Sequence, residues 1–417
     1  MKWLKYSLVS FLIIIILFVY LGAKCPWQKN RDDEEIIITG SSEISPWTAI
    51  ATTGAPSARG WHTTIWTGTP AQGGTGEMII WGGATNTAEY VYYALNTGAK
   101  YYPVTDTWIP ITTTDAPSNR TGHTAVWTGS EMIIWGGSNI TEWLNTGAKY
   151  YSITDTWISI TTTGAPSSRT WHTAVWTGSP AQGGTGEMII WGGYGIGAPN
   201  LNTGAKYNLI SDTWTAITTT DAPLGRFRHT AIWTGREMII WGGDDAQGPI
   251  TLINTGAKYN PISDTWTAIT TTGEPSPREW HTSIWTGIEM IIWGGLNDSL
   301  WYLNTGAKYN PISDTWTAMP TTNAPSARAG HTAIWTGTPA EGGTGEMIVW
   351  GGSGDFASSL NTGAKYNSIS DTWSVITISG ASSARRRHTA IWTDNEMIIW
   401  GGDNDDSILN TGGRYKP

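Results

Sequence analysis

The chain has 417 residues, a net charge of −9 and only 14 % charged residues. That excludes the basic surface a nucleic-acid partner needs, and Cys25 as the sole cysteine excludes a disulfide scaffold or a two-thiolate metal site. The 28 Trp and 51 Gly beside 4 Phe point to strands and tight turns.

The chain opens with Lys2 and Lys5 ahead of an uncharged run from Leu8 to Ala23. Residues 1–25 therefore read as a secretory signal or a retained anchor, although the run is shorter than the ~20 residues of a spanning helix. Cys25 follows, but Lys24 stands where a lipoprotein signal places a small residue. At this membrane edge Cys25 has no catalytic place. Residues 26–43 read as a linker. Cleaved, lipidated or retained, the segment places the rest of the chain outside the cytoplasm.

From residue 44 onward one unit recurs seven times. All seven histidines sit in the same phrase: His62, His123, His172, His229, His281, His331 and His388. Each is followed by Thr, and each has an arginine three residues earlier: Arg59, Arg120, Arg169, Arg226, Arg278, Arg328 and Arg385. The second unit shows four strand-length phrases in order. They are His123-Thr-Ala-Val-Trp127, Glu131-Met-Ile-Ile-Trp-Gly-Gly137, Asn145-Thr-Gly-Ala-Lys-Tyr-Tyr151 and Asp155-Thr-Trp-Ile-Ser-Ile-Thr161. Turn residues follow each. Met-Ile-Ile-Trp is apolar on both faces, as a strand sandwiched between two sheets must be.

Four strands every ~50 residues is the pattern of a β-propeller blade. The Gly-Gly after strand two, the Tyr in strand three and the Trp opening strand four resemble the kelch repeat. The resemblance covers residues 44–417 and implies an all-β, seven-bladed kelch-like propeller with four antiparallel strands per blade. It implies no single function, since this fold hosts enzymes and binding modules alike. Ser45-Pro46-Trp47-Thr48-Ala49-Ile50 matches strand four, and the chain stops at strand three with Gly413-Arg414-Tyr415. The N-terminal strand is thus expected to close the ring and remove two open edges. Ser45-Pro46 replaces the usual Asp-Thr there.

Length differences fall in the loops between strands one and two and between strands two and three. Alternating strand directions put the two–three loops and the blade-to-blade crossovers on one face, and the one–two loops on the other. The residue before each His varies: Trp61, Gly122, Trp171, Arg228, Trp280, Gly330 and Arg387. With strand one nearest the axis, these positions should ring the channel mouth.

Several side-chain sets are candidates for chemistry. Seven arginines could form a cationic ring for an anion, but sevenfold repetition favours a structural role, pairing with a repeated Glu such as Glu131 or Asp such as Asp155. Seven histidines around a channel stand too far apart to share one ion at ~2 Å, so each is expected to bond the backbone or a neighbouring blade, and no metal is expected. Asp403-Asn-Asp-Asp406 offers oxygen ligands without the rest of a calcium loop and reads as a solvated acidic loop. Trp61, Trp171, Trp280, Trp143 and Trp301 fall outside the repeated positions and on the loop face, where aromatics suit stacking or insertion. Enzyme signatures are missing: there is no Gly-x-Ser-x-Gly, His-Glu-x-x-His or phosphate loop. Galactose oxidase shares the fold class, but Cys25 lies outside the propeller and cannot form its Cys–Tyr crosslink. Sialidase-type Asp boxes are only echoed by Ser211-Asp-Thr-Trp214.

The reading is a non-catalytic, extracytoplasmic, monomeric binding or protein-interaction module without a cofactor, with a glycan or a surface protein as partner. Trp61, Trp171 and Trp280 would stack and Arg228 and Arg387 would supply charge. The alternatives are a carbohydrate-active enzyme, an epimerase or lyase on an acidic sugar, and a structural spacer.

Overall fold

The computed structural model describes residues 45–417, apart from 71–72, 87–91, 180–182, 198–199, 247–250 and 338–342. Residues 1–25, read from sequence as a signal or anchor, and 26–43, read as a linker, lie outside the described residues. Among the described residues no helix is long and apolar enough to cross a membrane.

Seven four-stranded antiparallel sheets form the ring. In blade two the strands are Thr124–Trp127, Met132–Trp135, Gly147–Tyr151 and Thr156–Ser159. They pair in chain order. First strands touch their neighbours all the way round, blade seven to blade one included. The ring closes as expected: Trp47–Ala49 lies antiparallel to Gly412–Tyr415, with Trp47 opposite Tyr415 and Ala49 opposite Gly413.

The second strand explains why the blades hold together. Met132 and Ile134 point to one side and pack with Ile79 and Trp81 of blade one. Ile133 and Trp135 point to the other and pack with Met188 and Ile190 of blade three. The period of two thus supplies both inter-blade cores from one strand. The outer edge is latched by hydrogen bonds. Asp155, at φ 52°, accepts from the Tyr150 hydroxyl at 2.7 Å and from Thr112 N of the preceding blade at 3.2 Å. Trp157 Nε1 donates to Thr112 O at 3.0 Å. In the closing strand Trp47 Nε1 keeps that latch on Thr377 O at 3.0 Å, and Ser45 Oγ, at the position of the lost Asp, donates to Ser379 O at 2.6 Å.

The loops sort by face as the strand directions require. Residues just after each repeated Arg bridge to residues just after Gly-Gly, as in Gly60 with Ala84 and Arg386 with Asp403. Crossovers and two–three loops therefore share the mouth. The one–two loops share the other face with the three–four turns, since Leu209 N bonds Gly186 O and Ser368 N bonds Gly345 O.

Candidate functional site

The seven repeated arginines are not a ligand ring. They are at most 1 % exposed. Nor do they pair with Glu131 or Asp155, and that expectation is corrected here. Arg120 spends five hydrogen bonds on neutral acceptors: Nε on Ser118 O, Nη1 on Gly136 O and Thr146 O, and Nη2 on Ser118 Oγ and Thr146 Oγ1. The Gly-Gly turn bares carbonyls that a planar five-donor fork matches. Arg59, Arg169, Arg278, Arg328 and Arg385 repeat the clamp. Arg226 lacks the serine partner, because Leu224 stands there. Burial without a carboxylate lowers these guanidinium pKa values to about 10, and to about 9 for Arg226.

The histidines form an inter-blade rail. His62 Nε2 and Thr389 Oγ1 share a hydrogen bond of 2.7 Å across the ring closure. His123 meets Thr63 and His172 meets Thr124, both at 2.9 Å. His229, His281, His331 and His388 do the same on Thr173, Thr230, Thr282 and Thr332. Each imidazole slots against the first Gly of the preceding blade's Gly-Gly. A Cβ on Gly82, at φ +66°, would sit 2.6 Å from His123 Cε1, so only glycine fits. Burial first, and the nearby Arg second, push His123 and His281 down to about 3. The remaining five are also lowered well below the usual histidine range. All seven are neutral.

The seven residues before the histidines do ring the mouth, and the backbone there is left-handed. Trp61, Trp171, Arg228, Trp280 and Arg387 have φ of 52–56°, beside Gly122 at 62° and Gly330 at 61°. Non-glycine residues there cost roughly 1–2 kcal/mol each. The positions are stitched sideways: Trp61 N bonds Arg387 O, Arg387 N bonds Gly330 O, and Gly330 N bonds Trp280 O, each at 3.2 Å. Their side chains stack on one another. The Arg387 guanidinium lies 4.3 Å over Trp61. Arg228 lies between Trp171 at 4.5 Å and Trp280 at 4.8 Å. One face of each indole read from sequence as a stacking surface is thus taken by an arginine, each contact supplying about 0.5–2 kcal/mol.

This backbone gives an unusual expected order of stability. Trp61→Gly should be about 1 kcal/mol more stable than Trp61→Ala in urea unfolding, because glycine alone is unstrained at φ > 0. The reverse order would refute the left-handed mouth.

Gly330 interrupts the stack and opens a notch of about 270 Å³, walled by Arg228, Trp280, Tyr302, Arg386 and Arg387. Three guanidinium groups meet here. Arg228 pairs with the buried Glu279 at 2.9 Å, and Arg386 with the buried Asp403 at 2.7 Å. Asp403 reaches Arg387 only at 3.4 Å, and Arg387 is the most exposed of the three, at 34 %. Asp403 is therefore not part of a solvated acidic loop. Glu279, Arg386, Tyr302 and Asp403 are site residues that sequence reasoning missed. For Glu279 and Arg386 a signal was present in the residue just after each repeated Arg, which varies as freely as the mouth position: Gly60, Thr121, Thr170, Phe227, Glu279, Ala329 and Arg386. Trp143 stands away from the notch, edge-on to Tyr194 at 5.3 Å, and Trp301 is 72 % exposed on its loop.

Residues 188–414 match the family model described as the attractin/LZTR1 β-propeller, and residues 18–181 match the KLHDC2/KLHL20/DRC7 kelch-repeats domain. Among curated proteins the chain is similar to Adagio-like protein 3 of Oryza sativa subsp. japonica, with 28 % identity over 119 residues, 27 % of this chain and 18 % of that protein. It is also similar to Kelch domain-containing protein 3 of Homo sapiens, with 26 % identity over 224 residues, 52 % of this chain and 58 % of that protein. The matches span less than two thirds of either relative's length.

Proposed function

The chain belongs to the attractin/LZTR1 family of kelch-repeat β-propellers, and on that premise we propose a non-catalytic protein-interaction module. Its partner docks a carboxylate-bearing segment at the Gly330 notch, in an extracytoplasmic setting set by the N-terminal segment. The observation that carries this is the backbone: five of seven mouth positions bear Trp or Arg where the fold prefers glycine. Left-handed strain at bulky residues marks functional sites. Arg387 is the guanidinium with the longest, weakest internal pairing, and carboxylates suit its fork.

Two observations support a role without turnover. The seven histidines are buried, neutral and engaged with threonine hydroxyls. Glu279 and Asp403, the buried carboxylates of the notch, are held by arginines. Neither set is placed for general acid–base work.

The test is a random-peptide display screen against the full chain, with a glycan array beside it. Enriched peptides should carry Asp, Glu or a free C-terminal carboxylate, and Arg387→Gln should bind them at least about tenfold more weakly. Enrichment without acidic residues would overturn the proposal. So would glycan binding that survives Arg387→Gln.

A further inference from the structure

The face opposite the mouth carries a ring of aliphatic side chains in solvent. The three–four turns of the first six blades end on Val104, Ile153, Ile210, Ile262, Ile312 and Ile369, which are 73–96 % exposed. One exposed aliphatic needs no explanation, but six at the same turn form a pattern. The fold does not use these side chains. The turns are fixed by polar groups instead: Tyr150 and Asp155 within a blade, and the preceding blade's Lys or Arg between blades. Lys100 Nζ donates to Ser152 O at 2.8 Å, directly before Ile153. Lys206 and Lys258 hold Pro261 O and Pro311 O, directly before Ile262 and Ile312, at 2.8 and 3.1 Å. Arg414 Nη1 holds Pro103 O at 2.8 Å, before Val104. The tips are rigid apolar points.

They are not isolated on this face. Val104 lines one hollow together with Pro70 of the one–two loop and Trp66 at the end of strand one. The equivalent tryptophans of the other blades ring the channel toward the same face. Blade five adds Ile288 in its one–two loop, 63 % exposed. The ring of tips has one gap, at blade seven, whose fourth strand is the N-terminal Trp47–Ala49. Trp47 pairs with Tyr415, which pairs with Met397 at the start of strand two, so the closing strand enters from this same face. Ser45, the first described residue, therefore stands on this face, and in the sequence it follows the uncharged run Leu8 to Ala23 by about 20 residues.

We infer that this face is a lipid-docking surface, whose six aliphatic tips enter the headgroup–acyl boundary of the bilayer that holds the N-terminal run. Exposed apolar tips on one face, with aromatics inside the ring, suit that boundary. The turn carboxylates accept from tyrosine hydroxyls of their own blades, as Asp155 does, and the exposed Asp371 is also neutralised by Lys308 at 2.9 Å. The mouth then faces away from the membrane. The inference rests on the extracytoplasmic setting proposed above and takes residues 1–25 as the retained anchor among the alternatives read from sequence.

The test uses the full chain in phosphatidylcholine nanodiscs in a Cys25→Ser background. Single spin labels replace Ile153, Ile262 or Ile312 at the tips, or the exposed Ser299 on the mouth face, after thermal unfolding confirms native stability. The ratio of oxygen to water-soluble nickel accessibility should be at least about threefold higher at all three tips than at Ser299. Serine at the other five tips should bring each tip label to the Ser299 value. Disc-bound chain with aqueous tip labels would overturn the docking face and leave the anchor standing. Failure to stay on the discs would overturn both. Tip labels that read as buried equally without discs, in a dimer, would assign the face to a second copy and overturn lipid docking.

Discussion

Lowering the pH from 7 to 5 should unfold the propeller cooperatively, with uptake approaching seven protons. The folded ring keeps all seven imidazoles neutral, with His123 and His281 titrating only near 3. The unfolded chain protonates each at about 6.5. A group whose folded pKa is depressed loses stability as pH falls from the unfolded pKa toward the folded one. Stability is therefore fully present above about pH 6.5 and falls below it. The limiting slope for seven groups is about 10 kcal/mol per pH unit. Against a total of order 5–15 kcal/mol, one to two pH units suffice. Urea midpoints followed by tryptophan fluorescence from pH 7.5 to 4.5 would show it. His172→Gln, which can keep a hydrogen bond to Thr124, should lower the slope by one proton. A midpoint indifferent to pH between 7 and 5 would contradict neutral burial.

Arg120→Met should cost about 1–3 kcal/mol, the cost of leaving a buried acceptor without its donor. The buried Gly136 O loses its donor, while Thr146 O keeps Gly136 N at 3.1 Å and Ser118 is an exposed residue that water can reach. Arg120→Lys should recover little, because an ammonium has three donors and no planar fork. Blade four supplies the control of opposite sign. Leu224 is 63 % exposed where the other blades have Ser. Leu224→Ser should give Arg226 its missing acceptor and add about 1 kcal/mol. Denaturant unfolding of the three variants decides it. A loss under 1 kcal/mol for Arg120→Met would mean the clamp is dispensable.

The contrast between what sequence revealed and what it hid follows the range of the interactions. The blades were legible because Met132–Trp135 is apolar on both faces, a pattern only a sandwiched strand needs. Closure was legible because Trp47 and Tyr415 are unmatched halves of one unit. The arginine partners were not, since a charge suggests a carboxylate, whereas the acceptors here are carbonyls bared by the fold itself. The mouth positions Trp61, Trp171, Arg228, Trp280 and Arg387 stood out as variation within a constant phrase. Their stacking on one another did not, because it depends on the ring bringing residues of successive blades within 5 Å. Asp403 looked solvated in a run of acids. Its bridge to Arg386 from the neighbouring crossover buries it.

The central claim is that the Trp–Arg mouth takes a carboxylate. Its most direct measurement is a double-mutant cycle by calorimetry. It pairs Arg387→Gln with one acidic peptide from the display screen and with that peptide's Asn and Gln counterpart. The account predicts a loss of at least about tenfold for either single change, and little further loss when both are made. Equal affinity for the acidic and amide peptides, or fully additive losses, would contradict it.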